Sequence, residues 1–330
     1  MIDARCLAKA RGCLRLRNLL IRQCLAELLG VFVLIVITVS ASAQSVTSEG
    51  TKGGYMSSAL ASGISVMLAI HTSGGISGGY LNPAFSLAMC LLRKCPWWKL
   101  PVYSVFQILG AFLGSATVYA LYYDAIHHYT NSSLTVTGPR ETASIFATYP
   151  APYLSLRNGF FDQVLGTAML LLCILALIDS RNKNIPKGLE PLGVGLLVLS
   201  LSLAMGSNCS CAINPARDLG PRLFTYVAGW GPQVFSAGNY WWWVPIVAPM
   251  VGSATGTAVY QLCVALHYPP DEEEEEFSMP VTEKAHPGTE KDVDIPIYAV
   301  NKYVVNTWME GNSVIHPATE LGKRETAPSS

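Results

Sequence analysis

The chain has 330 residues, 51% hydrophobic and 13% charged, and its 22 basic residues balance 22 acidic ones. Soluble domains average roughly 25% charged residues, so the composition argues against a purely soluble enzyme, and zero net charge leaves no basic footprint for nucleic acid. Nine cysteines are too dilute for a disulfide scaffold. Cys209-Ser-Cys211 is too close for a usual zinc pair, so neither a metal nor a cofactor is expected.

In chain order, a basic leader (Arg5, Lys9, Arg11, Arg15, Arg17, Arg22) comes first. Six windows follow that approach the ~20 apolar residues a membrane helix needs: 24–43, 56–73, 101–123, 159–179, 189–206 and 242–266. Window 56–73 is rich in Ser and Gly, the residues that let membrane helices pack closely. The leader, the first window and Ala41-Ser42-Ala43 also read as a signal peptide. Against that reading, the window is long, carries Glu27 and precedes five more spans.

Basic residues set orientation. They cluster in the leader, in the second connection between spans (Arg93, Lys94, Lys99) and in the fourth (Arg181, Lys183, Lys187), and are sparse in the alternate connections. This pattern predicts both termini in the cytoplasm and an even number of spans. Trp97, Trp98 and Trp241 to Trp243 fall at span ends, where aromatic belts form. Asn131-Ser132-Ser133, in a long outer loop over 124–158, is a glycosylation sequon. Residues 269–330 carry Glu272 to Glu276 and little apolar periodicity, and read as a disordered cytoplasmic tail. The domain plan is therefore a cytoplasmic N-terminus over 1–22, a membrane body over 23–268 and that tail.

The membrane body repeats itself, over about 23–123 and 159–266. Ala26-Glu27-Leu28-Leu29-Gly30 echoes Asp162-Gln163-Val164-Leu165-Gly166, and Gly110-xxx-Gly114 echoes Gly252-xxx-Gly256. Asn82-Pro83-Ala84 recurs as Asn214-Pro215-Ala216. Each triplet follows the second span of its half and precedes the third. Three spans per half means that the halves insert with opposite orientation, a design that places a pathway at their interface near the bilayer midplane. Asn is a favoured N-cap and Pro a favoured first helical residue, so each triplet opens a helix. The apolar stretches that follow, Phe85 to Leu92 and Leu219 to Val227, are too short to span and must dip in and stop. Their positive N-terminal ends would meet and repel cations and protons. The two Asn amides would offer donors to a passing oxygen and reorient a file of water, which opposes proton hopping.

On these residues the chain resembles the aquaporin family over about 20–268. Ser77-Gly78-Gly79-Tyr80-Leu81 and Arg217-Asp218-Leu219-Gly220-Pro221-Arg222 extend the likeness. Asp218, Arg222, Pro249 and the neighbouring Met250 are similar to its glycerol-conducting branch, the aquaglyceroporins. The resemblance implies an all-α membrane protein with six transmembrane helices plus two re-entrant half-helices in two inverted repeats, assembled as a homotetramer in the plasma membrane. It implies passage of water and glycerol as permeants, and of small uncharged solutes such as urea.

The resemblance also maps the narrow outer filter onto Ser62, Ser202, Cys211 and Arg217. Three small residues beside one arginine imply a wide, polar filter. Arg217 lies almost one turn beyond Asn214, and lining a wet pore accounts for a charge that lipid would make costly. Cys211 is the expected mercurial target, with Cys209 as rival. Gly78, Gly79, Tyr80, Leu81 and His71 would line the pore or its vestibule. Tyr80 stands where the family usually has His, which removes any pH response placed on that His, and His71 at the inner end of span two is the alternative sensor. The resemblance gives Glu27 the role of accepting hydrogen bonds from the re-entrant loop. A coupled secondary transporter of small polyols is the alternative reading, but such proteins hold ionisable residues in the pathway, and Arg217 is the single one expected there. No catalytic constellation points to an enzyme.

Overall fold

The computed structural model describes residues 12, 15–183, 185, 186 and 188–269. Most of the basic leader and the acidic tail, with the expectations attached to them, lie outside the described residues. Among the described residues ten α-helices are delimited, in chain order α1 (Leu19–Thr47), α2 (Tyr55–Ser77), α3 (Pro83–Leu91), α4 (Lys99–Leu121), α5 (Tyr123–Thr130), α6 (Leu156–Ile178), α7 (Glu190–Cys209), α8 (Pro215–Thr225), α9 (Gln233–Tyr240) and α10 (Val244–Cys263). No strand occurs among the described residues.

Six of these helices match the six expected windows. Among the described residues, α1, α2, α4, α6 and α7 are long and apolar enough to cross a membrane. The sixth, α10, has 20 residues, but Pro245, Pro249, Gly252, Ser253, Gly256 and Thr257 dilute its hydropathy. All six are buried against protein, so α10 meets its neighbours with the face that lowers its hydropathy. α1 begins five residues before its expected window. Asn18 accepts a hydrogen bond from Ile21 N (3.2 Å) and caps it there, carrying Arg22 and Gln23 into the first turn. The outer loop is also more ordered than its composition predicts: it holds α5 and a short 3₁₀ turn over Ala143–Ile145.

The packing has a two-fold pattern. α1 packs on α2 and α4 as α6 packs on α7 and α10, α4 packs on α8 as α10 packs on α3, and α2 crosses α7. Exchanging α1, α2, α3 and α4 for α6, α7, α8 and α10 maps each of these pairs onto another or onto itself. The fold is therefore the inverted repeat that the sequence predicts, with six long helices and two half-helices.

Backbone contact at the repeated glycines makes this packing close. A Cβ on Gly110 would lie 2.3 Å from the Leu28 carbonyl oxygen, and one on Gly252 would lie 2.3 Å from that of Val164. α4 and α10 therefore rest directly on the backbones of α1 and α6. The α2–α7 crossing uses the same device. A Cβ on Gly63 would lie 2.6 Å from Gly195 O, and one on Gly195 would lie 2.7 Å from Gly63 O.

Large apolar side chains point outward instead. Leu60, Ile64 and Leu68 on α2, and Val105, Leu109 and Leu113 on α4, are exposed at four-residue spacing. The polar residues Glu27, Gln107, Gln163, Asp218 and Arg222 are buried. This arrangement suits a hydrocarbon solvent, which tolerates apolar surface and requires polar groups to be satisfied inside. Gly252→Val should force α10 off α6 and destabilise the protein by about 1–3 kcal/mol, the usual cost of overpacking. Thermal unfolding in detergent, beside Val251→Ala on the exposed face of the same helix, measures the difference.

Candidate functional site

Each half-helix starts as its triplet dictates. Asn82 is the N-cap of α3, and its Oδ1 accepts from Ala84 N (2.8 Å). Asn214 is the N-cap of α8, and its Oδ1 accepts from Ala216 N (3.0 Å) and Arg217 N (3.2 Å). Pro83 and Pro215 occupy the first helical positions, and Ala84 and Ala216 are fully buried behind them.

The two helices meet through crossed bonds. Asn82 Nδ2 donates to Ile213 O and Asn214 Nδ2 donates to Leu81 O, both at 2.9 Å. A side-chain amide has two donor hydrogens, so each Asn keeps a second one while the first locks the junction. The sequence reading, in which the amides offer donors to a passing oxygen, gains a second task for them, the bond across the junction. The accepting residues adopt positive φ, 58° at Leu81 and 22° at Ile213. Such a backbone costs of order 1–3 kcal/mol at a non-glycine residue and persists only where its surroundings hold it.

Two buried side chains at equivalent places do the holding. The Glu27 carboxylate accepts from Leu81 N (2.7 Å), Tyr80 N (2.9 Å), Ser77 Oγ (2.5 Å) and Gln107 Nε2 (2.7 Å). In the second half Gln163 Oε1 accepts from Ile213 N (3.1 Å), and its Nε2 donates to Ser210 O (3.1 Å). The hydrogen bonds to the re-entrant loop expected of Glu27 are present.

A cavity of about 500 Å³ runs past this junction. Its lining includes Ser45, Val46, Tyr55 and Ser58 from one end of the helices, and Ile178, Glu190 and Pro191 from the other. Its lining combines the extended segments Gly78 to Asn82 and Ser210 to Asn214 and Arg217 with the apolar side chains Val66, Ile70, Leu170, Ile174, Val194 and Val198. Ser62, Ser202 and Cys211 line the same cavity, as do Gly78, Gly79, Tyr80 and Leu81. The Tyr80 ring stands edge-on to Phe85 (5.2 Å between centroids) and Tyr103 (5.6 Å).

His71 is a correction. It is exposed and does not line the cavity, because α2 turns Ile70 inward at that level and its neighbour outward. Glu190 is a second correction, since the sequence reading kept Arg217 as the one ionisable residue in the pathway. Glu190, in the first turn of α7, borders the cavity. Its position at the end of a span was visible in the sequence, but that this end borders the cavity was not.

The outer loop completes the wall. Arg217 Nη1 donates to Phe146 O (2.7 Å), and Ser144 and Thr148 line the cavity. Arg222 is fully buried and forms an ion pair with Asp218 at 2.9 Å. It also donates to Val234 O (2.8 Å) and Thr148 O (2.5 Å), and lies over the Tyr149 ring (4.7 Å). Asp218 in turn accepts from Thr148 N (2.7 Å) and Oγ1 (2.5 Å). The Glu141 carboxyl is pushed up by burial, against hydrogen bonds from the Ser144 hydroxyl and amide that lower it. Tyr55, whose hydroxyl donates to Ser202 O, and Thr148 were missed in the sequence, because both act across gaps of tens of residues. Pro249 is buried in α10, away from the cavity lining. Asn131 is exposed at the end of α5 in the left-handed region, with φ 50°.

The two thiols separate clearly. Cys209 is buried at 1% exposure, between Gln163 Nε2 (3.1 Å) and Asp162 Oδ1 (3.2 Å). Cys211 borders the cavity. Mercuric chloride should therefore block flux through the wild-type cavity and through Cys209→Ser, and leave Cys211→Ser unaffected; block retained in Cys211→Ser would place the target elsewhere.

The major intrinsic protein family matches residues 15–260. Aquaporin-10 of Homo sapiens is 62% identical over 269 residues, covering 82% of this chain and 89% of that one. Aquaporin-9 of Homo sapiens is 48% identical over 254 residues, with 77% and 86% covered. Among solved structures, the aquaglyceroporin from Plasmodium falciparum superposes with a TM-score of 0.68 at 34% identity, over 75% of this chain and 98% of that chain.

Proposed function

The chain belongs to the major intrinsic protein family and is a membrane channel of the aquaglyceroporin kind; on that footing we propose that it passes water, glycerol and small uncharged solutes such as urea, and excludes protons and ions. The observation that carries this reading is the mixed lining of the cavity, which joins the polar re-entrant segments and Arg217 to apolar side chains from the long helices. A polyol is itself two-sided, with hydroxyls along one edge and C–H groups along the other. It can trade water for hydrogen bonds with the polar groups of the lining and dispersion contacts with its apolar side chains.

Ser62, Ser202, Cys211 and Arg217 form the filter in this proposal. None of these four residues carries a ring, and the Tyr55 ring that borders the same cavity is held by its hydroxyl on Ser202 O. Arg217 donates to hydroxyl or carbonyl oxygen and repels cations. At the junction, the remaining Asn82 and Asn214 donors bind the passing oxygen, and the paired N-terminal helix ends oppose positive charge.

The rest of the assignment follows the same footing. The protein works as a homotetramer in the plasma membrane, with both termini cytoplasmic and Asn131 glycosylated on the outer side. Residues 1–22 form the cytoplasmic N-terminus, 23–268 the channel and 269–330 the cytoplasmic tail. It has no catalytic activity and needs no cofactor.

Stopped-flow light scattering of proteoliposomes in sucrose and then glycerol gradients tests the reading. Both fluxes should be fast. Cys211→Phe should cut glycerol flux by about tenfold, equivalent to about 1.4 kcal/mol of barrier, and reduce water flux less. Glycerol flux at background in the wild type, or glycerol flux unchanged in Cys211→Phe, would exclude this filter. A flux that saturates and depends on an ion gradient would point to the coupled transporter instead.

A further inference from the structure

The basic residues at the start of α1 form a site that the channel does not use. Arg15, Leu16, Arg17 and Arg22, with Gly12, border a cavity of about 310 Å³ outside the permeation path. Among the described residues none of these three arginines forms an ion pair. Arg22 Nε is buried and has no hydrogen-bond partner. A buried guanidinium N–H without an acceptor is costly, and three guanidinium forks round one hollow suit a phosphate, which accepts several charge-assisted bonds.

The surroundings give the source of that phosphate. Leu16 (43%), Leu19 (54%) and Ile21 (47%) are exposed beside the arginines. Lys99 Nζ bonds Gln23 Oε1 (3.0 Å) and lies 5.7 Å from the Trp98 ring centroid. Exposed Trp97 and Trp98 thus stand level with the start of α1, the depth at which aromatic side chains mark the headgroup region. A free anion has no use for the apolar rim, whereas the glycerol backbone and upper acyl carbons of a lipid do.

We propose that Arg15, Arg17 and Arg22 bind the phosphate headgroup of an anionic phospholipid in the cytoplasmic leaflet, with Leu16, Leu19 and Ile21 against its chains. The site lies apart from the pore, so the lipid is a resident of the channel surface and not a permeant. Juxtamembrane basic clusters are attracted to anionic leaflets in general. The unpartnered Nε and the hollow make this one a defined site.

The full-length protein in uncharged detergent tests this, by native mass spectrometry with dioctanoyl phosphatidic acid, dioctanoyl phosphatidylcholine and inorganic phosphate. Phosphatidic acid should bind about tenfold tighter than phosphatidylcholine, and Arg15→Gln with Arg17→Gln and Arg22→Gln should abolish the preference. The corresponding three Lys substitutions should retain most of it. If the triple Gln variant does not fold, Arg15→Gln with Arg17→Gln, at exposed residues before the helix, should still reduce the preference. Equal binding in wild type and Gln variants overturns the proposal. So does an equal loss in Arg93→Gln with Lys94→Gln, which would mean diffuse surface charge. Displacement of phosphatidic acid by inorganic phosphate at equal concentration would make the hollow a free-anion site and overturn the lipid assignment.

Discussion

The crossed amide bonds between the half-helices are the constraint from which the rest of the molecule follows. Asn82 reaches the carbonyl before Asn214, and Asn214 reaches the carbonyl before Asn82. Satisfying both at once requires the halves to face each other in opposite orientation. It also forces Leu81 and Ile213 into a backbone that other residues must stabilise. Glu27 and Gln163 do this from the inner faces of α1 and α6, so the first helix of each half is tied to the junction by a polar side chain at full burial. In hydrocarbon such groups are tolerated only when their partners are complete, and here the partners are the pore segments themselves.

The same logic accounts for the outer loop. Asp218 and Arg222 would each be costly if buried alone, and a buried pair is favourable only with further hydrogen bonds. Thr148 and Val234 supply them, and the Tyr149 ring adds a cation–π contact to Arg222. The α8 pair thereby fixes residues 146–149 above the cavity, where Phe146 O holds the Arg217 guanidinium. The loop is part of the wall, although no local pattern in its sequence says so.

Sequence legibility followed the range of the interactions. The six spans, the half-helices, the inverted repeat and the N-caps rest on local spacing, composition and internal likeness, and all could be read. Gly110 and Gly252 were legible as close contacts because they recur, whereas Gly63 and Gly195 were not, because the two-fold crossing is visible only in three dimensions. His71 failed for a related reason: in a helix as evenly small and apolar as α2, one-residue rotations decide which side chain faces the cavity, and the sequence has no strong stripe to fix them. Tyr55 and Thr148 owe their places to partners 147 and 70 residues away, a distance that no spacing rule covers.

The glycine crossing on the two-fold axis bears on how such a protein can diverge. At several equivalent positions the two halves differ: a carboxylate in one, Glu27, stands where an amide stands in the other, Gln163, and Leu81 answers to Ile213. At Gly63 and Gly195 each half's backbone is the other half's steric limit. A side chain gained by either copy has no room that a compensating change in its counterpart could provide, since the obstacle is main chain. The crossing is therefore a place where each copy of the repeat limits the other, and the halves cannot diverge there without giving up the shared seam.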